Sequence, residues 1–198
     1  MIREKTFENC ILNPMVSGLL QWFSNWRMAK MANDDALVIR QATSQDAVGL
    51  LALLKQLKTE STTFEDTSDH QIGVTTQAQQ IEAIGSSLQQ LLLVALIDDH
   101  PVGLATVLPT NEQQIGEIGV AVLKKYWQQG IGRELMLSGL DWAALQSQFA
   151  IITLTVQTVN QRAVKLYTDI GFETVRELQV TNSKGQRVAA IEMQLAVK

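Results

Sequence analysis

Residues 115–139 read IGEIGVAVLKKYWQQGIGRELMLSG, and the change of character along this stretch decides the fold. An apolar, β-branched run (Ile118, Val120, Val122) reads as a strand. A basic, aromatic turn follows, Lys124-Lys125-Tyr126-Trp127. Two glutamines and Gly130-Ile131-Gly132 then open a segment in which Leu135, Met136, Gly139, Leu140 and Ala143 recur at three- and four-residue steps, the period of an amphipathic helix. The reading is strand, tight loop, helix start. Backbone amides at the first turn of a helix lack acceptors within it, and the helix dipole favours an anion there. The amides of Gln128 to Arg133 therefore form a candidate pyrophosphate cradle.

Upstream, Leu37–Arg40 reads as a first strand. Thr43-Ser44-Gln45-Asp46 matches a capping box, and Ala47, Leu50, Leu51 and Leu54 follow at helical spacing. Ser61–Gly73 reads as a polar loop, and Thr75–Ile84 as a second helix ending near Gly85. Gln90–Ile97 is an apolar run suited to a strand buried on both faces. It is joined through a turn at Asp98–Pro101 to a strand over Val102–Leu108. Downstream, Ile151–Val156 is a strand and Gln161–Ile170 a short helix closed by Gly171. Glu173–Val180 and Arg187–Val197 form a hairpin around Asn182–Gly185. The order β-α-α-β-β-β-α-β-α-β-β implies an α/β chain with a mixed sheet and helices on both faces.

The chain has 198 residues, 46% of them apolar and 18% charged, with a net charge of −4. That fits one folded domain with a core and gives no reason to expect a nucleic-acid partner. The single cysteine, Cys10, excludes a disulfide framework and a cysteine metal cluster, and no metal is expected. No apolar run approaches the roughly 20 residues of a membrane helix, so cytoplasmic residence is the default expectation. Residues 1–36 form an N-terminal extension, and the domain spans 37–198. Leu19, Leu20, Trp22, Phe23 and Trp26 suit either an appendage packed on the domain or an interfacial or dimer helix. A natural start at Met28 or Met31 is a third reading.

Two segments together resemble the signature of the Gcn5-related N-acetyltransferases (GNAT). One is Val120–Gly132. The other is Asn160-Gln161-Arg162-Ala163-Val164-Lys165-Leu166-Tyr167 with Ile170-Gly171-Phe172. The family pattern is R/Q-x-x-G-x-G/A, then N-x-x-A-x-x-L-Y…GF, with a strand between. This chain departs from it at one place: Trp127 stands where the family carries Arg or Gln.

The resemblance implies the GNAT acyl-CoA fold, with a mostly antiparallel central sheet. It also implies acetyl-CoA as co-substrate and transfer of the acetyl group to a primary amine, on a small molecule or a peptide, in a ternary complex. Val120 and Val122 would present backbone groups to the pantetheine arm. A bulge would splay their strand from Ile151–Val156. Gln128, Gln129, Gly130, Ile131, Gly132 and Arg133 would hold the pyrophosphate, and Asn160 would bond the coenzyme. Tyr167 would lie near the sulfur as the acid for the leaving thiolate, and Glu117 is the candidate carboxylate that helps the amine lose its proton. A homodimer is compatible with the family.

Plainer readings stand beside these. Gly130-Ile131-Gly132 alone is also an ordinary helix start, and Leu135 occupies the third glycine position of a dinucleotide fingerprint. Tyr167 suits a core aromatic and Glu117 a solvated strand carboxylate. His70 and His100 each stand alone in polar loops. Phe64, Glu65 and Asp66 fall where the family's acceptor loop begins. The alternative from another class is an acyl-CoA-binding sensor of the same fold that has lost catalysis.

Overall fold

A computed structural model describes residues 27–30, 36–60 and 73–198. The aromatic N-terminal segment, the loop carrying Phe64, Glu65, Asp66 and His70, and all but the last residue of the Ser61–Gly73 loop lie outside the described residues.

Among the described residues eight strands form one sheet: β1 (Arg27–Lys30), β2 (Ala36–Gln41), β3 (Leu91–Ile97), β4 (His100–Pro109), β5 (Ile115–Val122), β6 (Ile151–Gln157), β7 (Glu173–Thr181) and β8 (Arg187–Ala196). Their order is β1-β2-β3-β4-β5-β6-β8-β7. Every neighbouring pair is antiparallel except β5 and β6. Among the described residues four α-helices flank the sheet: α1 (Ala47–Glu60), α2 (Val74–Gly85), α3 (Ile131–Leu145) and α4 (Gln161–Ile170). Strand β1 lies inside the stretch from which the sequence yielded no strand.

The helices start and stop where local chemistry directs. Before α1, the Thr43 amide donates to Asp46 Oδ2 at 2.7 Å, while Arg40 donates to both Asp46 oxygens at 2.6 and 2.7 Å. The Arg40 contact holds the Asp46 carboxyl below its ordinary range. α4 stops at Gly171, whose φ of 115° is costly for any residue with a Cβ, and the amides of Gly171 and Phe172 both donate to the Tyr167 carbonyl.

α3 and α4 cover one face of the sheet, with Ile118, Leu135, Met136, Ile152 and Leu154 in that core. α1 and α2 cover the other, over Leu92, Val94, Leu96 and Leu104. Close approach is built in: a Cβ at Gly139 would stand 2.8 Å from Ile118 Cδ1. No helix among the described residues is long and apolar enough to cross a membrane.

Two expectations at β4 and β5 change. Pro101 belongs to β4 and not to the turn, because Asp98 and Asp99 at φ 49° and 60° already reverse the chain. The β4–β5 register runs unbroken from Gly103↔Val122 to Pro109↔Gly116, so β5 carries no bulge. β5 and β6 part all the same. Their pairing has three rungs, the last Glu117↔Thr153. β5 then follows β4 to Val122, while β6 follows β8 to Gln157.

Candidate active site

The divergence of β5 and β6 leaves a wedge open at their C-terminal ends. The Leu123 amide donates to the Val102 carbonyl at 2.9 Å. Antiparallel ladders alternate in which residues point their backbone groups at the partner. Val120 and Val122 are therefore the residues whose amides and carbonyls point away from β4, into the wedge.

The loop after β5 is held from several sides. Lys124–Tyr126 makes a turn of 3-10 helix. The Lys124 amide donates to Glu60 Oε2 at 2.7 Å, and the Gln129 side chain to the Lys125 carbonyl at 3.2 Å. Gln128 and Gly130 adopt left-handed φ values of 63° and 84°. Gly130 is the N-cap of α3 and no side chain among the described residues caps that helix. The amides of Ile131, Gly132 and Arg133 thus begin α3 without intrahelical acceptors. A Cβ added at Gly130 would meet nothing within 4 Å, and one at Gly132 only Leu166 and Val122 at 3.8 and 3.9 Å. Space and donors for a diphosphate coincide here. Lys124, Lys125, Arg133 and Arg162 are all exposed around it.

Asn160 caps α4. Its Oδ1 accepts the Ala163 amide at 3.3 Å. Tyr167 is half-buried on the face of α4 that packs on the core, its ring tilted 59° against Phe172 with centroids 6.0 Å apart. Burial pushes its phenol up from 10.0 to about 12, so it is a protonated donor at neutral pH.

Glu117 is exposed between buried Gly116 and Ile118, on the sheet face opposite α3 and α4, at the last rung before the wedge opens. The two candidate catalytic residues therefore lie on opposite faces of the sheet. The wedge is the passage between those faces.

One further residue that the sequence did not single out borders the wedge. Gln157 ends β6 on the same face as Glu117. It is 6% exposed, and its Nε2 has no hydrogen-bond partner among the described residues. Trp127 Nε1 donates to the Val122 carbonyl at 2.7 Å, and the Arg162 guanidinium lies 4.9 Å from the Trp127 ring centroid. Arg162 stood in view inside the second motif; no local pattern links it to Trp127.

The model of the acetyltransferase (GNAT) family matches residues 51–172, and the chain belongs to that family. Among solved structures, a GNAT-family acetyltransferase of Streptococcus pneumoniae is similar at 25% identity and a TM-score of 0.75, over 81% of this chain and 99% of that one. The YncA protein of Salmonella typhimurium, solved with its cofactor acetyl-CoA, is similar at 18% identity and a TM-score of 0.71, over 82% and 94%. The ribosomal-protein-S5-alanine acetyltransferase of Vibrio fischeri is similar at 16% identity and a TM-score of 0.72, over 82% and 93%. A search of curated protein sequences returns no match.

Proposed function

We propose that this chain transfers the acetyl group of acetyl-CoA to a primary amine by direct attack in a ternary complex. The observation that carries this reading is the wedge. Outward-facing backbone groups of Val120 and Val122 lie beside uncapped amides at Ile131–Arg133, and the opening joins the face of Glu117 to the face of Tyr167. The amides of Gln128 to Arg133 hold the diphosphate. The Val120 backbone groups and the Val122 amide pair with the pantetheine arm as a short extra strand would, the Val122 carbonyl being taken by Trp127 Nε1. Asn160 adds a side-chain contact.

An alkyl amine is protonated below pH ~10 and must lose that proton to attack. Glu117, on the far face, takes it directly or through water. The new amide bond forms as the carbon–sulfur bond breaks. Tyr167 Oη protonates the departing thiolate, and the second proton that the nitrogen sheds as the amide forms passes through water to restore the phenol. A thiol buried beside Tyr167 is raised by the same desolvation, which narrows the gap between donor and acceptor. A small-molecule or peptide amine suits this face, in a cytoplasmic setting and with a homodimer compatible.

The experiment is incubation with acetyl-CoA and a panel of amines, reading free thiol. Amine-dependent thiol release supports transfer. Coenzyme binding without it overturns catalysis in favour of an acyl-CoA sensor.

A further inference from the structure

The cluster at Trp127 carries an inference about how the coenzyme's charge is met. Trp127 follows the 3-10 turn, and its indole N–H is spent on the Val122 carbonyl at 2.7 Å. The ring offers neither a charge nor a remaining donor to a phosphate. It is nevertheless fixed, tied by that bond to the last residue of β5, with 38% of the residue exposed.

On this ring lies the Arg162 guanidinium, 4.9 Å from the centroid, and the Lys124 ammonium approaches the same ring at 5.8 Å. Among the described residues Arg162 has no carboxylate partner, whereas the Lys124 ammonium is attracted to the Glu60 carboxylate. A cation over an indole face is attracted by the ring quadrupole and keeps its N–H donors at its edge. Arg162 is thus restrained without being neutralised.

Its position relative to α3 follows from helix geometry. Leu166 lies against Gly132, 3.8 Å from where a Cβ would stand. Arg162 is four residues earlier in α4, one turn toward the N-terminus on the same face. The guanidinium therefore borders the first turn of α3, the turn with no capping side chain.

We propose that Arg162, racked on the indole of Trp127, grips a phosphate group of the coenzyme. Trp127 is a positioning residue, and Arg162 makes the contact. The claim rests on the acetyl-CoA reading above and adds the side-chain cation that the loop itself lacks. The phosphate is either the diphosphate at α3 or the 3′-phosphate.

The test is calorimetric titration of the full chain with coenzyme A and with 3′-dephospho-coenzyme A. Arg162→Ala is expected to weaken coenzyme A binding about tenfold or more, with Arg162→Lys recovering only part. A loss that disappears with the dephospho compound assigns the 3′-phosphate; a loss that persists assigns the diphosphate. Trp127→Ala should lower affinity as well, and Arg162→Ala added to it should cost little more. Fully additive losses would overturn the racking. Unchanged affinity in Arg162→Ala, with wild-type melting of the free protein, would overturn the contact. A wild-type chain that binds no coenzyme is a separate result and removes the acetyl-CoA reading itself.

Discussion

The side chain of Glu60 accepts the backbone amide of Lys124 at 2.7 Å, joining the last residue of α1 to the turn that leads into the phosphate loop. A carboxylate at a helix C-terminus meets the negative end of the dipole, so the tertiary contact is what favours it there. The Lys124 amide, then the Gln56 side chain, hold its carboxyl below the ordinary range. The contact is therefore complete above the usual carboxylate pKa and is lost as pH falls through the lowered value. Glu60→Ala should raise the KM for acetyl-CoA several-fold, about what a loosened hydrogen bond costs, and leave kcat unchanged. Steady-state kinetics check this, and an equal loss in kcat would place Glu60 elsewhere in the reaction.

Gly130 takes φ of 84° with open space around a would-be Cβ. Gly130→Ala should cost about 1 kcal/mol through backbone strain alone. Coenzyme affinity should fall by a larger factor, because the new methyl enters the open space in which the proposed function sets the diphosphate. Parallel melting and titration separate the two effects.

Tyr167→Phe should slow turnover by about 10²–10⁴-fold with little change in coenzyme affinity. It has a second consequence. The folded phenol titrates near 12 against 10.0 for the free group. Its contribution to stability is fully present below pH 10 and is lost as pH rises through 12. Alkaline melting curves should fall less steeply over that window in Tyr167→Phe. Parallel curves would mean that Tyr167 is not buried as described.

Gln157 keeps an unpaired amide nitrogen at 6% exposure, and an unmet buried donor costs about 1–3 kcal/mol. Gln157→Met removes that penalty in nearly the same shape and should leave the melting temperature equal or higher. If a substrate oxygen completes the amide, the same variant loses activity or substrate affinity. A lower melting temperature would show that the amide is satisfied in the free protein.

The amino-acid order by itself determined the elements from Leu37 onward and the loop that matters most. Alternation in Ile152, Leu154 and Val156, the Thr43–Asp46 box, and Gly171 after Ile170 are signals read within a few residues of where they act. Hydrogen bonding and steric limits in turns and caps are local. The same holds for Gly130-Ile131-Gly132 at the start of α3.

What only the tertiary structure decided involves partners distant along the chain. The β5–β6 pairing stops at Glu117↔Thr153, because each strand stays with its other neighbour as the sheet twists. That parting needs no bulge and leaves no mark in either strand's own sequence. Glu117 and Tyr167 fall on opposite faces because Glu117 alternates along β5 with Gly116 and Ile118, and α3 and α4 cover the face of those two. Trp127, which reads from the family pattern as a missing phosphate contact, turns its indole back to Val122 and carries Arg162 instead. Side-chain direction and stacking across 35 residues depend on how α4 packs beside α3, and periodicity within either helix holds no record of it.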